Sequence, residues 1–316
     1  MQYSDIAGLA RRVKENVAKV IIGREEQMEL ILAAIIAKGH VLLEDVPGTG
    51  KTVMARSLSK SISCNFSRVQ FTPDLLPADI TGMSVYQPQT GKFEFVPGPV
   101  FTNILLADEI NRATPRTQSA LLECMEEKQV TEGGVTRKLE APFLVIATQN
   151  PVETQGTFQL PEAQLDRFLI RLSMGYPDEK EALQLMQRFI RNSPLEELEA
   201  VAGQEEICQA QQLFSQCQVS VPVMEYMAAL CQATRNADRT QLGVSPRGLL
   251  ALLRISQAYA AIQGRDYVIP DDVKKMAVPV LAHRVILRGL YGKSGENEKY
   301  IREILDKVPA PTEAAK

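Results

Sequence analysis

An α/β core with a parallel sheet between helices, followed by a smaller all-α domain, is the fold class this sequence predicts. Two observations carry it. Through the first half, short runs that are apolar throughout alternate with helix-like segments. Strands apolar on both faces belong in a parallel sheet covered on both sides. From about Asp178 onward the strand signal nearly vanishes and helical periodicity takes over.

The expected strands are "HVLLE" (His40–Glu44), "SRVQFT" (Ser67–Thr72), "NILLADE" (Asn103–Glu109), "FLVIATQN" (Phe143–Asn150) and "FLIRLSM" (Phe168–Met174). Two insertions interrupt them. "SVYQPQTGKFEFVPG" (Ser84–Gly98) has β-type residues on both sides of a Gln-Thr-Gly turn. "QVTEGGVTRKLE" (Gln129–Glu140) alternates around Gly133-Gly134, a strong hairpin signal. Neither is needed to complete a parallel sheet, so both are expected to project and touch something. In the second half "DEKEALQLMQRF", "QEEICQAQQLFSQC", "VPVMEYMAALCQATRN", "SPRGLLALLRISQAYAAIQ" and "PDDVKKMAVPVLAHRVIL" fit amphipathic or buried helices. The expected division is residues 1–174 for the α/β core with its two hairpins, 175–203 for a linking region rich in breakers, and 204–316 for the helical domain. The tail "VPAPTEAAK" is expected to fray.

Composition excludes several classes. Hydrophobic residues make up 45% of 316, ordinary for a globular chain, and the net charge of −3 offers no broad basic field for nucleic acid. No apolar run approaches the roughly 20 residues that span a bilayer, and no signal peptide is read at the N-terminus. The five cysteines (Cys64, Cys124, Cys208, Cys217, Cys231) are scattered without a C-x-x-C pair. Reduced thiols in a cytoplasmic protein are expected. Two histidines, His40 and His283, are too few and too far apart to suggest a metal site.

The chemistry begins at "EDVPGTGKT", Glu44 to Thr52. A phosphate-binding loop presents converging backbone N–H groups at a helix N-terminus. Here Pro47, Gly48, Thr49, Gly50, Lys51, Thr52 and Val53 would form it, with glycines allowing close approach. Lys51 would meet the β- and γ-phosphates, and the Thr52 hydroxyl would ligate Mg²⁺. The general pattern asks for glycine at position 45, where this chain has Asp45. An acid is tolerated there if its side chain points away and caps a local N–H.

At "ILLADEI", Asp108 and Glu109 follow an apolar strand. Asp108 can share the Mg²⁺ with Thr52, and Glu109 can orient and deprotonate an attacking water. Strand-end acids are also ordinary helix caps, but their position after a phosphate loop favours the catalytic reading. In "ATQNP", Asn150 ends a strand, which fits a functional polar group and an Asx turn before Pro151 equally well. In "LPEAQLDRF", Arg167 closes a short helix, as cations commonly do. In "SPRGLL", Ser245 fits an N-cap and Pro246 the first helical position. Arg247 then lies in a first turn that disfavours cations. A nucleotide phosphate or a neighbouring carboxylate would explain it.

"VPGTGKT", "LLADEINR", "ATQNP", "QLPEAQLDRF" and "GVSPRGLLAL", in that order, resemble the MoxR-type AAA+ ATPases from about Ile21 to about Arg284. The resemblance implies an AAA+ P-loop core with a helical lid, and Mg²⁺-dependent ATP hydrolysis. It implies that Asn150 is the sensor-1 residue, Arg167 an arginine finger reaching a neighbouring subunit's γ-phosphate, and Arg247 sensor 2. "VIIGREE" lies where such proteins cradle adenine, which makes Ile22 and Gly23 candidate base contacts. The hairpins correspond to that clade's helix-2 and pre-sensor-1 inserts, and Asp45 is the family's own variation. A homo-oligomer, as a hexameric ring, is implied, with Arg112 and Arg116 as further candidates to cross a subunit boundary. So is a chaperone-like role toward a partner complex, typically a von Willebrand A domain protein. The competing readings are a DNA-associated motor or loader, disfavoured by the balanced charge, a metal-chelatase-type subunit, and a nucleotide switch without turnover, disfavoured by Glu109 and Arg167 together.

Overall fold

The computed structural model describes residues 1–150, 156–190, 194–235, 238–289 and 295–311. In chain order the elements begin with α1 (Tyr3–Ala18), α2 (Glu25–Ile36), β1 (Val41–Glu44), α3 (Lys51–Ser61), β2 (Phe66–Gln70) and α4 (Pro77–Thr81). They continue with β3 (Gly82–Gln87), β4 (Lys92–Pro97), β5 (Ile104–Asp108), α5 (Pro115–Glu127), β6 (Gln129–Glu132), β7 (Val135–Lys138), β8 (Leu144–Gln149), α6 (Glu162–Leu165) and β9 (Ile170–Leu172). The rest is α7 (Glu179–Phe189), α8 (Gln204–Leu213), α9 (Val221–Arg235), β10 (Thr240–Leu242), α10 (Pro246–Ile262), α11 (Pro270–Leu281), β11 (Ile286–Leu287) and α12 (Glu296–Lys307).

The five expected strands form one sheet in the order β2-β5-β8-β1-β9, and every neighbouring pair is parallel. The apolar runs divide by the period of two that a strand imposes. Val41 and Leu43, Ile104 and Leu106, and Leu144 and Ile146 face one apolar cluster. Leu42, Leu105 and Ala107, and Val145 and Ala147 face a second, closed by α4 and α5 residues such as Ile80, Leu121 and Met125. Both faces are therefore dry, which is why the runs read as continuously hydrophobic.

The first cluster does not stop at the α/β domain. It runs through α1 and α2 into α8–α12, so that Ile6, Leu9, Ile31, Leu252, Ile255, Val273 and Tyr300 share one interior. Helix α1 packs against both α3 and α10. Within the interval 175–203, α7 starts on a capping box: Asp178 accepts from the Glu181 N–H at 2.8 Å, and Glu181 accepts from the Asp178 N–H at 3.0 Å. Helix α10 opens as its sequence suggests, with the Ser245 hydroxyl accepting from Gly248 N–H at 3.1 Å and Pro246 at the first position. A short antiparallel pair, β10 with β11, lies among the helices.

Both hairpins, β3–β4 and β6–β7, stand outside the main sheet as two-stranded units. They touch each other. Glu132 accepts from the Ser84 hydroxyl at 2.6 Å and from its N–H at 3.3 Å, and Arg137 lies 3.8 Å over the Phe95 ring. Phe93 at the first hairpin is 72% exposed and pairs with Tyr86. Pro151 and residues 312–316 of the tail lie outside the described residues. Among the described residues no helix is long and apolar enough to cross a membrane.

Candidate active site

The site lies beyond the carboxyl ends of β1, β5 and β8, where open α/β sheets bind ligands. Registration places its parts. Leu43 and Glu44 on β1 are level with Thr148 and Gln149 on β8, while Ala107 on β5 is level with Ala147. The loop after β1 and the acids after β5 therefore flank the end of β8.

The loop from Glu44 to Lys51 turns sharply through Gly48 (φ 85°) and Gly50 (φ 86°). Any Cβ there would meet open space, so left-handed backbone and not crowding is what calls for glycine. Gly50 is the N-cap residue of α3 and Lys51 its first residue, so the dipole's positive end faces the cavity. Lys51 Nζ donates to the main-chain oxygens of Asp45 (2.9 Å) and Val46 (3.2 Å). Burial pulls its pKa below the ordinary lysine value, and the charges of Asp45, Asp108 and Glu109 pull it back up.

Asp45 points away from the cavity's phosphate side. Only 6% exposed, its carboxylate accepts from the Ser173 hydroxyl (2.9 Å), Met174 N–H and Gly175 N–H (3.2 Å). An acid replaces the usual glycine because three donors from the chain leaving β9 converge on it. Gly175 also receives Arg24, whose Nη2 donates to its oxygen at 3.3 Å, and Arg24 pairs with Glu181 at 3.0 Å. The loop, the Val20–Glu26 segment and α7 are thus knitted together around Gly175.

Asp108 ends β5, and Glu109 follows in a left-handed conformation (φ 56°, ψ 50°). A non-glycine residue there costs of order 1 kcal/mol, and here the bond from its N–H to Thr148 helps to hold it. Thr148 holds both acids. Its hydroxyl donates to Asp108 Oδ1 at 2.6 Å and accepts from Glu109 N–H at 2.8 Å. Gln70 Nε2 donates to Glu109 Oε2 at 2.7 Å, and Arg112 pairs with the same oxygen at 3.1 Å. Arg68 pairs with Asp108 at 2.6 Å. Arg112 therefore serves its own chain's acid. Arg116 is exposed at the start of α5.

These groups line a cavity of about 660 Å³, within the range of ligand pockets. Its walls include Pro47, Gly48, Thr49, Gly50, Lys51, Thr52 and Val53, together with Asp108, Glu109 and Asn150. The donor set suits magnesium bound with a polyphosphate. Thr52 and Asp108 would supply two oxygens, and Mg²⁺ typically takes its other ligands from phosphates and water rather than from a protein cage. No group of three or more His, Cys, Asp or Glu placed to hold a metal ion by themselves occurs among the described residues.

Four expected site residues lie outside this cavity. Gly23 (φ 69°) is packed under the Glu181 carboxylate, and Ile22 is half-buried beside it. Arg167 and Arg247 lie together elsewhere. Both pair with Glu126 at the end of α5, at 3.1 Å and 2.5 Å. A carboxylate is thus the anion beside Arg247 within one chain.

The family of ATPases associated with various cellular activities (AAA) matches residues 40–170, and the AAA lid domain matches residues 232–306. Chaperone MoxR1 of Mycobacterium tuberculosis is 38% identical over 90% of this chain and 77% of its own length. Protein MoxR of Methylorubrum extorquens is 32% identical over 98% and 97%. The chain belongs to the MoxR-type AAA+ ATPases. Bacillus subtilis (strain 168) has a relative of this family, uncharacterized protein YeaC, 49% identical over 98% of this chain and 97% of its own. A solved Cytophaga hutchinsonii chain, named there only provisionally as an ATPase, superposes with a TM-score of 0.90 at 37% identity, covering 98% of this chain and 97% of its own. The matches set a AAA+ core before a helical lid, and the cavity described above lies within the core match.

Proposed function

We propose that the protein hydrolyses ATP with magnesium only as a homo-oligomer, with each nucleotide held by one copy and completed by the next. The observation that carries this is the division of the site. Lys51, Thr52, Asp108, Glu109 and Asn150 share one cavity, whereas Arg167 and Arg247 sit together on Glu126 outside it. One carboxylate binds both arginines, so the two lie close enough together to meet the same neighbour.

In this reading Lys51 and the loop amides hold the β- and γ-phosphates, Ile22 and Gly23 border the base, and Thr52 and Asp108 hold the metal. Bound magnesium would neutralise charge developing on the phosphates. Glu109, aimed by Gln70 and Arg112, takes the proton of the attacking water, and Asn150 orients that water. The neighbour's Arg167 and Arg247 then meet the γ-phosphate, a contribution of about 10³–10⁵ in rate for an arginine finger. A hexameric ring is the expected assembly, in the cytoplasm. The name of the mycobacterial relative, a chaperone, supports remodelling of a client protein, for which a von Willebrand A domain protein is the first candidate.

Specific activity measured across a dilution series tests the assembly requirement, and it should rise with protein concentration. Flat activity through dissociation would refute it. Glu109→Gln should bind ATP without turnover, and Lys51→Ala should lose binding. A purified von Willebrand A domain should alter the ATPase rate if it is the client.

A further inference from the structure

Arg167 and Arg247 belong to different parts of the fold. Arg167 follows the short helix α6 of the core, and Arg247 is the second residue of lid helix α10. Beneath their meeting at Glu126 lies a second bridge, which is buried. Arg284, in the 3₁₀ turn Ala282–Arg284 after α11, is 7% exposed. A guanidinium has five N–H donors, and here each has an oxygen. Its Nε donates to Asp166 Oδ1 at 2.6 Å. Its Nη2 donates to the main-chain oxygens of Asp166 (3.1 Å) and Phe168 (2.7 Å), and its Nη1 to those of Leu169 (3.2 Å) and Val280.

The Asp166 carboxylate so fixed also accepts from the Ser245 hydroxyl at 3.1 Å. Asp166 is the residue before Arg167. Ser245 caps α10 two residues before Arg247. One buried arginine therefore ties the residue beside the first arginine to the cap beside the second. The packing leaves no slack. A Cβ on Gly248 would lie 2.8 Å from Arg284 Cδ and 2.7 Å from Val244 Cγ1, so the first turn of α10 rests directly on the Arg284 side chain. A buried guanidinium with one carboxylate and four main-chain oxygens costs desolvation that an apolar side chain would not. Its geometry is what an apolar side chain could not supply.

We infer that Arg284 is a positioning residue for catalysis. Through Asp166 and Ser245 it sets the spacing at which Arg167 and Arg247 are presented to the neighbouring copy's nucleotide. The inference rests on the proposal that both arginines act between copies. Arg284 itself touches neither nucleotide nor metal in this arrangement, so its effect must be felt on the face that donates the arginines and not on the face that binds ATP.

That asymmetry is the test. A donor chain carrying Lys51→Ala keeps its arginines but has a disabled loop. An acceptor chain carrying Arg167→Ala and Arg247→Ala keeps its loop but donates nothing. Each alone should be inactive, and a mixture should hydrolyse ATP at the shared interfaces. Arg284→Met placed in the donor should lower kcat of the mixture by about 10²-fold with KM for ATP unchanged, the loss expected of a misplaced catalytic group. The same substitution in the acceptor should leave the mixture's rate unchanged. Ser245→Ala, which leaves Arg284 paired with Asp166, should show the same donor-only loss to a smaller degree and serves if Arg284→Met does not fold. Equal losses in both placements, or none in either, would overturn the positioning role. Silence of the unaltered donor–acceptor mixture would instead overturn action between copies, and the positioning role with it.

Discussion

Replacing Asp45 by glycine restores the general phosphate-loop pattern and yet should weaken the protein. The Met174 N–H loses its acceptor in a buried position, which costs about 1–3 kcal/mol. The Gly175 N–H and the Ser173 hydroxyl lie nearer solvent, and water can replace part of what they lose, leaving under about 1 kcal/mol each. Extra chain entropy from glycine adds about 0.5–1 kcal/mol. The sum is about 1.5–6 kcal/mol, or a fall in Tm of about 2–9 °C for a chain of 316 residues. The assay is thermal unfolding without nucleotide, beside an ATP titration with magnesium. Lys51 meets Asp45 through its main-chain oxygen, which glycine retains. Affinity for ATP should therefore stay within about tenfold, a change of no more than about 1.4 kcal/mol. An unchanged Tm would refute the account of Asp45 as an anchor for the chain leaving β9. Unchanged stability with lost ATP binding would show instead that the acid engages the nucleotide complex.

Thr148→Val keeps the shape of the side chain but strips Asp108 of a donor and the Glu109 N–H of an acceptor. The magnesium concentration for half-maximal ATPase should rise about 10–100-fold, and an unchanged magnesium titration would exclude the role. Glu126→Gln removes a half-exposed partner of both arginines, so its stability change should stay below about 1 kcal/mol in urea unfolding. With both guanidiniums meeting phosphate as proposed, the carboxylate would compete for them, so hydrolysis by the assembled variant should not fall, and a large drop in kcat would contradict this. His40 is buried, its Nε2 facing Met125 O and its Nδ1 accepting from Val145 N–H, and burial lowers its pKa to about 4. The unfolded chain binds a proton near pH 6.5 that the folded chain refuses until about pH 4. Stability should therefore be lost as pH falls across that window, by about 3 kcal/mol. Buried His283 is shifted in the same direction and adds to the loss. His40→Gln should flatten the acid limb of a pH–stability curve, and an unaltered limb would refute the assignment.

What could be read from the sequence followed from local pattern. The five sheet strands are legible because both faces of the sheet are covered, and the loop because its glycines, lysine and threonine are contiguous. The outward aim of Asp45 follows from its place between strand and loop. Gln70 and Arg68 were also within reach. They alternate on β2, beside the strand that carries the acids, but polar residues on an edge strand look like solvent-facing ones. Thr148 hides inside an apolar run, where threonine passes for a β-former. Glu126, Asp166 and Arg284 left no local trace, because their partners lie more than a hundred residues away in sequence or on another element. Strands β10 and β11 are too short for a period to register. The interior shared by both ends of the chain is equally a matter of packing and not of spacing.

That shared interior bears on how work is done. A lid joined to its core by a thin tether could flap over the nucleotide and stop there. Here α1 and α2, from the chain's beginning, pack against α10 of the lid, so moving the two parts against each other would expose the apolar surface they share. In the proposed ring, strokes large enough to act on another protein would then fall at the seams between copies, where the proposal sets the paired guanidiniums.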